Sequence, residues 1–211
     1  MKITILLDNI KSWYYPYAKK LVEQLSKEHE VFLVHNVDDI PSGELAFFLS
    51  CEKIIKEQIR KKNKHNIVVH SSSLPLGKGW SPLSWQILEG KNKVKNTLFE
   101  AVDKVDAGVI YLQNEMKFCG DELLNELHDI QGGKINELVF KFVSLYPDVE
   151  GKTQEGAETF YQRRNVVDSE LDIDKSIKEQ FNLLRIVDNK KYPAFFEYMD
   201  QEYILTIQKK A

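Results

Sequence analysis

Short apolar runs alternate along this chain with stretches whose apolar residues recur every three or four positions. The run from Ile3 to Leu7 predicts a buried parallel strand. From Pro16 to Lys27, Ala18, Leu21, Val22 and Leu25 fall at helical spacing. Strands are expected at 31–35 and, after a DDIPSG turn, at 45–49; a helix at 54–62 and a strand at 66–70 follow. Ser81-Pro82 reads as a helix start, because serine can cap and proline suits the first turn, and Gly90 as its end. Strands at 97–102 and 109–113 flank the turn 103–108. The stretch from Asp121 to Leu145 is long and amphipathic, with QGG at 131–133 expected to interrupt or kink it. This alternation predicts an α/β fold with a mostly parallel twisted sheet and an antiparallel addition, a class that binds ligands at the carboxyl ends of its strands.

After Pro147 the composition changes. DVEGKTQEGAET is polar and bears glycines, so it reads as a linker. A helix at 174–187 is expected beyond it, then a hairpin pairing 195–198 with 203–207 across Met199-Asp200-Gln201. The predicted organisation is a main domain over 1–147 and a small annex over 148–211.

Composition narrows the function classes. With 211 residues and 43% hydrophobic content, the chain can bury a sizeable core without staples. A formal charge of −3 argues against a nucleic-acid surface, and the KKNK run at 61–64 reads as a solvated helix end. Cys51 and Cys119 have no metal-ligand spacing and fit a reducing compartment, so no metal is expected. MKITILLD is too short for a signal peptide or a membrane span. The expectation is a cytoplasmic protein with no membrane or nucleic-acid partner; a homodimer is compatible with it. Neither GxGxxG after the first strand nor GxxxxGK[ST] occurs.

His70 closes a predicted parallel strand, and Asp106 sits in the turn VDAG before a later one. Brought to one sheet edge they would form a general acid/base pair, the carboxylate holding the imidazole tautomer. The same residues could equally be a histidine satisfied by backbone groups and an aspartate closing a turn. Spacing alone leaves both readings open.

Three ordered stretches resemble the folate-dependent formyltransferases: HSSSLPLGKGWSPLSWQILEG, TLFEAVDKVDAGVIYLQ and FYQRRNVVDSELDIDKSIKEQFNLLRIVDNKKYPAFFEY. The resemblance covers about residues 45 to 205 and is closest to sugar-nucleotide N-formyltransferases within the methionyl-tRNA formyltransferase-like group. It implies a Rossmann-like formyltransferase fold and transfer of a formyl group from 10-formyltetrahydrofolate, the co-substrate, to an amine. His70 would handle protons and charge, with Asp106 orienting it. Glu52, Lys53 and Ile54, and Val102, Asp103, Lys104 and Val105, match the two walls of the pterin site, where backbone groups are expected to do much of the recognition. Lys78, Trp80, Arg163 and Arg164 are the candidates for a nucleotide-linked amino sugar. The chain has no length left for the carboxy-terminal barrel used with tRNA, so initiator tRNA is not the expected acceptor.

One departure matters. The family asparagine two residues before the histidine is replaced here by Val68. Asn66 shares that strand face but lies ~13 Å from His70. Ser71 and Ser72, a loop N–H or protonated His70 are nearer donors to an oxyanion. Losing one such donor costs about 3–4 kcal/mol elsewhere. The alternatives carried forward are formylation of another small amine and a catalytically impaired binding protein on the same scaffold. Leu74-Pro75 is a candidate cis bond.

Overall fold

The computed structural model describes residues 1–210. In chain order it contains β1 (Lys2–Leu6), α1 (Tyr15–Leu25), β2 (Glu30–Val34), β3 (Gly43–Phe48), α2 (Glu57–Arg60), β4 (Asn63–His70), β5 (Lys78–Gly79) and α3 (Pro82–Leu88). It continues with β6 (Lys93–Glu100), β7 (Ile110–Lys117), α4 (Leu124–Leu145), β8 (Phe160–Tyr161), α5 (Phe181–Ile186), β9 (Ala194–Tyr198) and β10 (Gln201–Leu205). The central sheet runs β2-β1-β3-β4-β6-β7, parallel through β4 and antiparallel beyond it. Strand order reverses between β1 and β3, and the loops after β1, β3 and β4 open at one edge. The mostly parallel sheet with an antiparallel addition is as the pattern predicts.

The core follows from the periodicities. Ile3, Ile5, Leu45, Phe47 and Ile67 point from the strands onto Ala18, Leu21 and Leu25 of α1 and Leu138, Val139 and Phe142 of α4, all at most 5% exposed. The expected break at QGG does not occur: α4 is continuous. Gly132 faces the ring of Tyr17, where an added Cβ would lie 2.5 Å from ring carbons, so its glycine serves helix packing and not a kink.

Four other expectations are corrected. The helix at 54–62 shrinks to α2, because Lys56 is extended. Ser81 makes no cap bond; it sits in the left-handed region at φ 48°. The helix at 174–187 is only α5, preceded by turns. The hairpin closes on two residues, Met199 and Asp200, both with positive φ, as a tight hairpin turn requires. Leu74-Pro75 is cis.

The stretch after Pro147 packs back onto the sheet. β8 pairs in parallel with β5. Ile186 joins Leu83, Ile87, Val94 and Met116 in a second cluster. Arg185, 1% exposed, is paired with Glu122 at 3.0 Å and bonded to Asn92 and Asn182. No described helix is long and apolar enough to cross a membrane.

Candidate active site

A cleft of about 660 Å3 opens over the carboxyl ends of β1, β3 and β4, within the size range of small-molecule sites. His70, the last residue of β4, lies at its floor and is 9% exposed. Its Nε2 is 2.7 Å from the carbonyl oxygen of Gly77, so Nε2 carries the proton and donates. Its Nδ1 stands 3.9 Å from Asp106 Oδ2, an ion-pair distance beyond a hydrogen bond. Asp106 in turn accepts from the Gly79 N–H at 2.9 Å. The two residues that spacing left unresolved therefore meet, with Nδ1 as the ring nitrogen left to exchange a proton.

Local backbone geometry makes this possible. Asp106 adopts φ 52°, a left-handed conformation costing a non-glycine residue about 1 kcal/mol. Gly79, at φ 95°, brings its N–H to Asp106 while β8 passes so close that an added Cβ would lie 2.5 Å from the Tyr161 carbonyl oxygen.

The remaining expected residues divide. Ser71 lines the cleft, but its hydroxyl donates to Asn96 Oδ1 and accepts from Gln131 Nε2. Ser72 is 1% exposed, does not line the cleft and has no partner for its hydroxyl, so it is poorly placed as an oxyanion donor. Asn66 is tied to the carbonyl of Arg60 and is not in the lining. Val68 lines it, in register between Phe48 and Phe99.

Glu52, Lys53, Ile54, Val102 and Val105 form part of the lining. Ile54, Val102 and Val105 are exposed, an apolar slot open to a flat ligand. The backbone N–H groups of Glu52 and Lys53 are taken by the Asp8 carboxylate, so these two expected donors are occupied. Asp103 and Lys104 stand outside the lining: Asp103 binds Arg60, and Lys104 binds Glu158. Cys51 is beside this slot, and burial pushes its thiol up to about 12, so it stays protonated and is no nucleophile.

Of the expected acceptor-binding residues, Lys78 is corrected. Its ammonium is 1% exposed, paired with Glu158 at 2.7 Å, and outside the lining. Trp80 and Arg163 both line the rim, the guanidinium 4.7 Å over the indole and 3.0 Å from Glu52. Arg164 also lines it, yet its head group is committed to the carbonyls of Ile186 and Asp168, and burial lowers its pKa.

Sequence reasoning missed an aromatic part of the lining. There Trp13, from the loop after β1, stacks on His128 of α4 with centroids 4.3 Å apart. Burial drives the His128 pKa down to about 4, leaving a neutral aromatic surface. Lys11 and Lys191 line the same cleft. A helical apolar stripe hides such a histidine, and nothing in its spacing links it to Trp13.

No protein-family model matches the chain. A methionyl-tRNA formyltransferase of Sulfurihydrogenibium sp. (strain YO3AOP1) is 28% identical over 155 residues, 71% of this chain and 49% of that protein. One of Clostridium botulinum (strain Alaska E43 / Type E3) is 31% identical over 122 residues, 56% of this chain and 38% of that protein. The chain thus spans about half or less of the length of these curated relatives. Among solved structures, methionyl-tRNA formyltransferase from Clostridium thermocellum has a TM-score of 0.82 at 23% identity, covering 100% of this chain and 94% of that one. A 4-N formyltransferase from Francisella tularensis has a TM-score of 0.74 at 16% identity, covering 100% and 98%. HypX from Aquifex aeolicus, in complex with tetrahydrofolic acid, has a TM-score of 0.82 at 17% identity, covering 98% and 37%. The chain has formyltransferase homologues and the formyltransferase fold, as its motifs imply.

Proposed function

We propose that this homologue of the formyltransferases is itself an N-formyltransferase, moving the formyl group of 10-formyltetrahydrofolate to an amine carried by a nucleotide-linked sugar. The observation that carries the reading is the meeting of His70 and Asp106 in a cleft that is also lined by an apolar slot and by an aromatic, lysine-bearing part.

The chemistry asks for one N–C bond to form and one to break. The amine nitrogen adds to the formyl carbon, the carbonyl oxygen takes negative charge, and the folate nitrogen leaves with the proton the amine gives up. His70 Nδ1 accepts that proton, Asp106 stabilises the resulting imidazolium, and the imidazolium returns the proton to the leaving nitrogen. Nε2 stays locked on Gly77, which fixes the ring plane. No asparagine amide is available for the oxyanion at position 68, so imidazolium charge is the compensating stabiliser.

The pterin belongs at the Ile54, Val102 and Val105 slot, where exposed apolar side chains suit a flat ring. The acceptor belongs at the Trp13–His128 end. A stacked neutral surface flanked by Lys11 and Lys191 suits a nucleobase and phosphates, which supports a sugar nucleotide over a smaller amine. Incubating the protein with 10-formyltetrahydrofolate and a panel of UDP- and dTDP-linked amino sugars tests this by mass spectrometry. A gain of one formyl group on an amino sugar is the expected result. A blank across the panel with tight folate binding would instead favour the impaired binding protein.

A further inference from the structure

Glu158 lies near the end of the linker and outside the lining of the cleft, yet its carboxylate touches both loops that carry the acid/base pair. Glu158 Oε1 is 2.7 Å from Lys78 Nζ and 3.0 Å from Lys104 Nζ, and Oε2 is 3.1 Å from Lys104. Lys78 sits between the two residues that hold the pair: Gly77 accepts from His70, and Gly79 donates to Asp106. Lys104 precedes Asp106 by two residues in the turn that presents it. The lysines hold the Glu158 carboxyl below the usual carboxylate range, so it bridges them as an anion.

The neighbouring backbone completes the clamp. Thr159 Oγ accepts from the Gly77 N–H at 2.7 Å, the Thr159 carbonyl accepts from Lys78 N–H at 2.9 Å, and the Tyr161 carbonyl accepts from Trp80 N–H at 3.1 Å. Lys78 is nearly fully buried and its ammonium needs a counter-ion, which Glu158 supplies. Asp106 is the charged group facing the His70 imidazole within ion-pair distance. At 3.9 Å the pair is an ion-pair contact beyond hydrogen-bond length, and a further shift of about 1 Å is of the scale that costs large factors in rate.

We propose that Glu158 is a positioning residue: by tying Lys78 to Lys104 it fixes Gly77 under His70 and sets the separation of His70 from Asp106. The assignment rests on the formyltransferase reading for its rate consequences, but its geometry can be read without turnover. Glu158 lies outside the cleft lining, so the expected effect falls on kcat and not on KM.

Two cuts separate the arms of the tie, both in the full chain. Glu158→Gln releases both lysines; Lys104→Met releases only the Asp106 loop, at a lysine that is mostly solvent-exposed. Ring 15N shifts of His70 in wild type should report the Nε2–H tautomer. In Glu158→Gln a mixture of tautomers is expected, because Lys78 beside Gly77 loses its counter-ion and the Gly77 carbonyl is held less firmly, by the Thr159 contacts alone. Lys104→Met should keep the wild-type tautomer while kcat falls at least ~10-fold with KM within twofold, and Lys104→Arg should restore kcat. If Glu158→Gln does not fold, Lys78→Met/Glu158→Gln carries the same 15N measurement without a buried unpaired cation. A folded Glu158 variant with the wild-type tautomer overturns the tie, as does Lys104→Met with the wild-type kcat. If wild type transfers no formyl group, the function reading fails, and the 15N arm still decides the tie.

Discussion

His70 and His128 line the same cleft, but their surroundings offer the two imidazoles different partners. His70 is pinned by a carbonyl at Nε2 and faces a carboxylate from Nδ1, so its ring is oriented and its charged form has a partner. His128 lies flat on Trp13 and is half-buried, and its charged form is disfavoured. In the proposed reading the same side chain thus serves acid/base chemistry at the cleft floor and surface complementarity where it stacks on Trp13. Partners decide the role, not residue type.

The sharpest break of that comparison is at His70. Replacing it with alanine should lower kcat by ~10³-fold or more, and Asp106→Asn by a comparable or smaller factor, in steady-state formyl transfer. If His128→Phe had the larger effect on kcat, the assignment of the two imidazoles would be reversed. Val68→Asn tests the same site from the other side. Val68 borders the cleft two residues before His70, and an amide there is expected to raise kcat/KM by ~10- to 100-fold as an added oxyanion donor.

The aromatic end predicts a different kinetic signature. Trp13→Ala removes the stacking partner of His128 and should raise KM for the sugar-nucleotide acceptor by ~10-fold, leaving kcat within about twofold. Initial rates at varied acceptor and saturating folate separate the two parameters. A fall in kcat with unchanged KM would place the acceptor elsewhere.

His128 also makes a pH prediction. Its folded pKa of about 4 lies below the ordinary 6.5, so the unfolded chain binds a proton that the folded chain refuses. The corresponding stability is complete above pH 6.5 and is lost as pH falls toward 4, by up to about 3 kcal/mol. Urea midpoints at pH 7 and pH 4.5 should therefore differ less in His128→Phe than in wild type.

What the sequence reveals divides along the same line as the cleft. Short apolar runs specify β1, β3 and β4, and a histidine at the end of one of them falls at the sheet edge by topology alone. The VDAG turn follows from its own residues. Contacts made by side chains far apart in the chain leave no such trace: Trp13 on His128, Arg185 on Glu122, and Glu158 between Lys78 and Lys104. The QGG segment misleads for a related reason. Glycine is read locally as a helix breaker, but Gly132 answers to the Tyr17 ring of another helix. Lys78 misleads in the same way, since its loop position suggests a ligand contact and only the fold shows its counter-ion.

The smallest expected effect is at the rim, where Arg163 lies over Trp80 and beside Glu52. Chemically this resembles the Lys78–Glu158 pair, yet Arg163 and Glu52 are 63% and 48% exposed, whereas Lys78 is 1% exposed. Solvent competes for both rim groups, so the ion pair and the cation–π contact together stabilise the fold by about 1 kcal/mol or less. Arg163→Ala should move the urea midpoint little, and raised salt should shrink even that difference. Because Arg163 joins the far segment to both Trp80 and the Glu52 loop, its loss should act on folate KM before it acts on stability. A KM for folate unchanged in Arg163→Ala would leave the rim a surface contact, and confine recognition of the pterin to the apolar slot below it.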